Sequence, residues 1–141
     1  MGGEWAMAGN VPERVVLVIE DDPGVSSFLQ QALTDDGYEV LLANTSDAAL
    51  SSLDTVQPDL ITLDLNLPGI GGAQLLRTIR QRPKLRQVVV VIVSGERHVE
   101  PALRDLAQAV VVKPFELSDL MATIRDLAPP PAISAEQEHN G

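Results

Sequence analysis

Residues 58–69 read PDLITLDLNLPG, a short apolar run that ends in one carboxylate, Asp64. Pro68 and Gly69, followed closely by Gly71 and Gly72, mark a turn directly after it. A buried strand that delivers one aspartate to the edge of a sheet holds a charged oxygen still and partly dehydrated. This stretch therefore predicts that Asp64 is a nucleophile for phosphoryl groups.

The composition describes one globular domain with room for a single core, since 45% of the 141 residues are hydrophobic. The absence of cysteine excludes disulfides and thiolate metal sites. A formal net charge of −10 argues against binding to nucleic acid or to an anionic membrane, so neither is expected as a direct partner. The longest apolar run, Val88 to Val93, is too short to span a bilayer, and no signal-peptide pattern opens the chain. A cytoplasmic protein is expected.

Strand and helix patterns alternate five times along the chain, which predicts an α/β fold with a doubly wound parallel sheet and helices on both faces. Asp22 and Pro23 read as the cap and first residue of the first helix, and Ser46 as the cap of the second. The expected organisation is a flexible arm at 1–13, one domain at 14–128 and a disordered tail at 129–141. Strands are predicted at 15–19, 38–43, 88–93 and 109–112, and the third strand is predicted in the apolar run that precedes Asp64.

Charged and hydroxyl residues follow four of the five predicted strands. In parallel sheets, ligands bind outside the carboxyl ends of the strands, so these side chains are expected to converge at one edge. This convergence is the main functional signal of the sequence. The residues are Glu20 and Asp21 after the first strand, Asp64 after the third, Ser94 after the fourth and Lys113 after the fifth.

The acids at this edge predict a site for a hard cation, because crowded carboxylates repel one another and all-oxygen ligands favour Mg²⁺. Asp21 and Asp64 are expected to bind the ion directly, and the backbone carbonyl of Asn66 is a third candidate ligand. Glu20 is longer and is expected to reach the ion through water. The alternative is that Asp21 and Asp22 only cap a helix.

Ser94 and Lys113 are candidate catalytic residues beside Asp64. Ser94 offers a hydroxyl donor to a phosphoryl oxygen, and its alternative role is that of a capping serine. Lys113 offers a point charge that can pair with Asp64 and then with the phosphoryl group, and its alternative is a surface lysine. The sequence leaves open whether the bond between Lys113 and Pro114 is cis.

Taken together, these motifs resemble the receiver domain of bacterial two-component response regulators over about Arg14 to Leu127. The resemblance implies a flavodoxin-like, CheY-like sheet of order 2-1-3-4-5. It implies Mg²⁺-dependent phosphoryl transfer to Asp64 from a sensor histidine kinase or a histidine phosphotransfer protein. It also implies that the domain catalyses only its own phosphorylation and dephosphorylation. The matching motifs are Glu20-Asp21-Asp22-Pro23, the run from Leu63 to Gly72, Ser94-Gly95 and Lys113-Pro114-Phe115.

Asn66 and Glu96 match the family positions that tune hydrolysis of the acyl phosphate, and their polar side chains predict a short-lived phosphoryl state. Two positions and one spacing depart from the family pattern. Val110 stands where the family usually has the aromatic switch residue. The spacing from Ser94 to Lys113 predicts a short or irregular fourth helix. Gly71 replaces the usual acidic or amide helix cap.

Several functional alternatives remain open at this point. No output domain follows Leu127 in this sequence, which predicts output by binding a downstream protein, either as a free-standing receiver or as one cut from a larger chain. A pseudo-receiver scaffold that takes no phosphate is a second possibility. A haloacid-dehalogenase-like phosphatase is a third, although its motif needs a second aspartate where this chain has Asn66.

Overall fold

The computed structural model describes residues 14–95 and 98–131, which form a five-stranded sheet of order β2-β1-β3-β4-β5 with all pairs parallel. The predicted fold class and strand order are confirmed. The arm at 1–13 and the tail from 132 onward lie outside the described residues, so the domain boundaries stay predictions. The strands are β1 (Val15–Ile19), β2 (Glu39–Ala43), β3 (Leu60–Leu63), β4 (Val89–Ser94) and β5 (Ala109–Val112). The helices are α1 (Pro23–Asp35), α2 (Ser46–Thr55), α3 (Gly72–Gln81), α4 (Pro101–Arg104) and α5 (Leu117–Leu127), with a 3₁₀ turn at Pro83–Leu85.

The sheet separates two apolar clusters, because successive side chains of a strand point to opposite faces. In β1, Leu17 and Ile19 join the cluster that contains residues of α2 and α3. Val16 and Val18 join the cluster that contains residues of α1 and α5. All four residues of β3 are buried, so Asp64 directly follows a fully buried strand.

The register of the strands places the functional residues side by side. Leu63 lies opposite Ile19 on one side and opposite Ile92 on the other. Asp64 is therefore flanked by the ends of β1 and β4.

The start of α1 follows the predicted capping pattern. The Asp22 side chain accepts hydrogen bonds from the backbone N–H groups of Gly24 (2.8 Å) and Val25 (3.2 Å), and Pro23 is the first helical residue. The cap of α2 was predicted wrongly. Thr45, not Ser46, accepts the bond from the Ala48 N–H, at 3.0 Å. Thr45 has the extended backbone of a capping residue, whereas Ser46 is the first helical residue and its hydroxyl donates to the Pro68 carbonyl at 3.4 Å.

The fourth helix is short, as predicted. α4 spans four residues, Pro101 to Arg104, and it begins without a side-chain capping bond. Val99 and Leu103 anchor this segment, since both are buried in the cluster beneath α2 and α3.

Tyr38 ties the start of β2 to the end of α5. Its hydroxyl donates a hydrogen bond of 2.7 Å to the Ala128 carbonyl, and the side chain is only 3% exposed. Burial, with a contribution from the charge of Asp36, raises the pKa of Tyr38 to about 12.

Replacing Tyr38 by phenylalanine should lower the free energy of unfolding by about 1 kcal/mol at neutral pH, because the Ala128 carbonyl loses its donor. The folded pKa of Tyr38 lies above its ordinary value near 10. The stability that the protonated phenol contributes is therefore fully present below pH 10 and is lost as the pH rises towards 12. Urea unfolding of both proteins at pH 8, 10 and 11 should show the difference shrinking with pH. A difference that stays constant or grows would contradict this role.

Candidate functional site

Backbone hydrogen bonds between strands continue one residue beyond the ends of β1, β3 and β5 and hold the residues of the site in place. The Glu20 N–H donates to the Ala43 carbonyl and the Asp64 N–H donates to the Ile19 carbonyl, both at 3.0 Å. The Lys113 N–H donates to the Ser94 carbonyl at 2.8 Å. These bonds hold Glu20, Asp64, Ser94 and Lys113 at the carboxyl edge of four neighbouring strands, as the sequence predicts.

Three carboxylates gather at this edge. One oxygen each from Glu20, Asp21 and Asp64 lies within 4.8 Å of the other two. Glu20 and Asp64 are only 3% and 4% exposed, whereas Asp21 is exposed to solvent. Three converging carboxylates, one of them open to water, fit a hard divalent cation that keeps part of its hydration shell.

Lys113 bridges the two buried acids. Its Nζ lies 3.0 Å from Glu20 Oε1 and 3.2 Å from Asp64 Oδ2. Burial alone would lower the pKa of Lys113, but its hydrogen bond to Glu20 and the charges of both acids raise it above its ordinary value, so the side chain stays an ammonium. Burial raises the pKa of Glu20 despite the bonds that it accepts from Lys113 and the Asp22 N–H.

Each oxygen of the Asp64 carboxylate is held by a different donor. The Asn66 backbone N–H donates to Oδ1 at 2.9 Å, and Lys113 donates to Oδ2. The carboxylate is therefore fixed in orientation while each oxygen keeps a further lone pair for another partner.

Gly72 packs directly against the loop that follows Asp64. Its N–H donates to the Leu65 carbonyl at 3.0 Å. A methyl group at this position would lie 2.5 Å from the Asp64 carbonyl oxygen and would also meet Leu65 Cα. Both obstacles are backbone atoms and cannot swing aside.

Replacing Gly72 by alanine should therefore push the Asp64 loop away from α3 and lower the free energy of unfolding by about 2 kcal/mol. Phosphoryl uptake should fall as well, because Asp64 moves relative to Glu20 and Lys113. Chemical denaturation and uptake from acetyl phosphate measure the two effects. Gly95→Ala is the matched control, since no atom of the residues that the structure describes lies within 4 Å of a methyl group there. Equal effects of the two alanines would refute the argument.

The neighbouring Gly71 begins α3 without a side-chain cap, as the sequence predicts. Its backbone has φ 86° and ψ 159°. This conformation is almost restricted to glycine, so the acidic or amide cap of the family pattern is not accessible with this loop shape.

The other predicted site residues lie where their strands place them. Ser94 is fully buried at the end of β4. Asn66 is exposed two residues after Asp64. Val110 is half-buried in β5 and lies opposite Ile92 of β4. Glu96 lies outside the described residues. The Lys113–Pro114 peptide bond, left open by the sequence, is cis.

The sequence predicted a pair between Lys113 and Asp64 alone, and the contact between Lys113 and Glu20 was not predicted. Glu20 is nevertheless the nearer of its two partners, at 3.0 Å. The signal available was the length of the glutamate side chain, whose extra methylene lets it reach across the end of β3. The close packing of Gly72 was also missed, because a glycine in a loop gives no sign of what lies beside it.

Comparison with known proteins identifies the family. The profile of the response regulator receiver domain matches residues 16–125. The chain belongs to the response regulator receiver domain family. This family is a signalling module of two-component systems.

Relatives of this receiver domain include a transcriptional regulatory protein and a DNA-binding response regulator. It is 34% identical over 113 residues to the phosphate regulon transcriptional regulatory protein PhoB of Rhizobium meliloti, and the match covers 78% of this chain and 50% of PhoB. It is 30% identical over 110 residues to the DNA-binding response regulator MtrA of Mycolicibacterium smegmatis, covering 78% of this chain and 48% of MtrA. The receiver domain thus spans about half the length of the relatives that it matches.

A solved structure is similar in both fold and sequence. The response regulator TrrA of Thermotoga maritima, crystallised in complex with Mg²⁺-BeF, superposes with a TM-score of 0.74 at 27% identity. The superposition covers 81% of this chain and 98% of TrrA.

The relatives correct one prediction from composition. The net charge of −10 was taken to exclude nucleic acid as a direct partner, and this conclusion was wrong, because a relative that matches this domain at 30% identity is a DNA-binding protein. The charge of a domain that spans half of such proteins does not decide their nucleic-acid binding. Within residues 14–95 and 98–131, no helix has the length and hydrophobicity needed to cross a membrane.

Proposed function

We propose that this receiver domain accepts a phosphoryl group on Asp64 from the phosphohistidine of a sensor histidine kinase or a histidine phosphotransfer protein. The P–N bond breaks, a P–O bond to one Asp64 oxygen forms, and the imidazole leaves with a proton from solvent. The observation that supports this best is the position of the buried Asp64 carboxylate, 3.2 Å from Lys113 and within 4.8 Å of the oxygens of Glu20 and Asp21.

In this proposal, Asp21, Asp64 and the backbone carbonyl of Asn66 hold Mg²⁺ directly, and Glu20 contacts it through water. When bound, Mg²⁺ neutralises negative charge on the incoming phosphoryl oxygens. The three carboxylates lie at the edge of the sheet. Asp21 is exposed, so water and a phosphoryl oxygen have access to the site.

Lys113 and Ser94 act on the phosphoryl group. Lys113 keeps its contact with Glu20 while its bond to Asp64 Oδ2 passes to a phosphoryl oxygen, since an ammonium has three N–H donors. Ser94 is fully buried at the end of β4, and its hydroxyl donates to a phosphoryl oxygen in this proposal.

The return step is hydrolysis of the acyl phosphate. Water attacks phosphorus, the P–O bond to Asp64 breaks, and inorganic phosphate leaves. Asn66 and Glu96 orient the water in this proposal, which gives a short-lived phosphoryl state that ends without a phosphatase. The domain then acts only on its own aspartate, in the cytoplasm, and signals by binding a downstream protein. A phosphoryl state that lasts many hours would contradict the role given to Asn66 and Glu96.

Incubation with acetyl phosphate and Mg²⁺, followed by intact mass measurement, tests the proposal. We expect a gain of one phosphoryl group that disappears when EDTA removes the metal and that decays after the donor is removed. Absence of any gain would favour a pseudo-receiver scaffold. Sustained release of phosphate from simple phosphate esters would favour a haloacid-dehalogenase-like phosphatase.

A further inference from the structure

Positive charge is concentrated in one short segment of this acidic chain. No aspartate or glutamate occurs between Leu65 and Gly95, while the chain as a whole carries a formal charge of −10. Half of its ten lysines and arginines fall within residues 77–86, around the end of α3 and the 3₁₀ turn. They are Arg77, Arg80, Arg82, Lys84 and Arg86.

Arg80 is not available to an external partner. Its guanidinium is half-buried, and burial lowers its pKa. The group holds together the segments that follow α3 and α4. It donates hydrogen bonds of 2.7–3.1 Å to the carbonyls of Leu85, Arg86, Val88 and Leu106 and to the side chain of Gln108.

Arg77 is exposed on α3, and two of the three cations at 82–86 have no ion-pair partner among the described residues. Arg82 is neutralised by Asp54, whose Oδ1 lies 2.9 Å from its Nη1. Lys84 and Arg86 are exposed, and neither forms an ion pair with any residue in the described ranges. They therefore present two free positive charges on the same turn.

Lys84 lies on the rim of a groove at the amino-terminal edge of the sheet. One part encloses about 470 Å³, and its apolar lining includes Leu53, Val56 and Leu85. The other part, of about 450 Å³, lies against Arg86 and shares Gln57, Pro83 and Lys84 with the first. We call these two parts together the basal groove. Gln57 Nε2 donates to the Lys84 carbonyl at 3.0 Å, which links the opposite walls.

The basal groove is separate from the acidic site. Residues 57–59 precede β3 and residues 86–88 precede β4, whereas Asp64 and Ser94 stand at the other ends of these strands. Asp59 and Asp64 are five residue steps of extended strand apart, which corresponds to roughly 16 Å. A ligand in the groove leaves the phosphoacceptor edge uncovered.

We propose that the basal groove binds an acidic polypeptide segment of a partner protein that carries an apolar side chain. The apolar side chain packs on Leu53, Val56 and Leu85, and flanking carboxylates pair with Lys84 and Arg86. This combination matches a protein interface, in which an apolar anchor fills a pocket and charged pairs surround it.

The same lining disfavours nucleic acid as the occupant. Asp54 and Asp59 also line the groove, but each already has a cationic partner, Arg82 at 2.9 Å and Arg14 at 3.7 Å. Lys84 and Arg86 supply two free charges, fewer than the series of phosphate contacts on which nucleic-acid binding depends. The apolar lining would have no partner in a sugar-phosphate backbone.

Fluorescence anisotropy with a labelled peptide of two leucines flanked on each side by glutamates tests this inference on the full chain. We expect saturable binding that weakens about fivefold in Lys84→Glu and in Arg86→Glu. Arg104→Glu is the matched control, because Arg104 is exposed on α4 and undergoes the same change of charge. Lys84→Gln should give a smaller loss, and thermal melts verify that each variant is folded.

Four outcomes would overturn the inference. The peptide fails to saturate up to millimolar protein, or Arg104→Glu weakens it as much as Lys84→Glu does. A peptide with serines in place of the leucines binds equally well, which removes the apolar anchor. A single-stranded oligonucleotide of equal charge binds more tightly, which makes the groove a polyanion site. Phosphoryl uptake should be unchanged in all these variants, so the result is independent of the proposed function.

Discussion

Asp64→Asn should reduce phosphoryl uptake from acetyl phosphate to background while the protein stays folded. The amide has nearly the shape of the carboxylate, and its oxygen can still accept the Asn66 N–H that now lies 2.9 Å from Oδ1. It lacks the anionic oxygen that attacks phosphorus, so the chemistry is lost and the packing is kept. Lys113 retains Glu20 at 3.0 Å, and the acid cluster loses one of three like charges. The free energy of unfolding should therefore remain within about 1 kcal/mol of the parent value.

Asp126→Asn is the matched control, because Asp126 is exposed on α5 and the substitution removes the same charge. Intact mass after exposure to acetyl phosphate and Mg²⁺ should show one phosphoryl group on this control and none on Asp64→Asn. The group should be labile to hydroxylamine, as an acyl phosphate is. A phosphoryl group on Asp64→Asn, or one that resists hydroxylamine, would assign the acceptor to another residue.

Lys113→Met should impair both stability and phosphoryl uptake. Lys113 is the ammonium that contacts the carboxylates of Glu20 and Asp64, whose side chains are 3% and 5% exposed. Its removal leaves two buried negative charges without their cation, and the free energy of unfolding should fall by about 3 kcal/mol. Uptake should fall about 100-fold, because the charge that receives the phosphoryl oxygens is lost.

A second substitution separates the orphaned charge from lost packing. If the deficit of Lys113→Met comes from unpaired carboxylates, Glu20→Gln in the same protein should restore a large part of the stability and none of the uptake. Lys84→Met is the control, since Lys84 is exposed and the substitution makes the same change of side chain at a distant site. An unchanged midpoint of chemical denaturation in Lys113→Met, or no recovery in the double variant, would show that the ion pairs contribute little to folding.

Much of the site was predictable because its residues are attached to local patterns. Glu20, Asp21 and Asp64 each follow a strand that its apolar run identifies, and parallel strands end at a common edge. The motif resemblance added the order of the strands and the roles given to Ser94, Lys113 and Asn66. Those roles are proposals that the positions of Asp64 and Lys113 support.

The functional prediction that was wrong came from the net charge of the whole chain. The net charge of −10 is a sum over the chain. It does not show that all charged side chains between Leu65 and Gly95 are positive. The net charge also describes only a domain, which spans about half the length of relatives such as a DNA-binding protein. A sum of charges contains no information on where the charges lie or on what else a longer protein carries.

The amino-acid sequence by itself determined the alternation of strands and helices, the cap at Asp22 and Pro23, the short α4 and the strand ends at which the acids stand. These features depend on neighbours a few residues apart, which the order of side chains specifies directly. Only the tertiary structure decided that Lys113 lies nearest to Glu20, that Gly72 touches the Asp64 loop and that Lys84 borders a groove. These contacts join residues from different strands and loops, and their distances are set by the packing of the whole sheet and its helices.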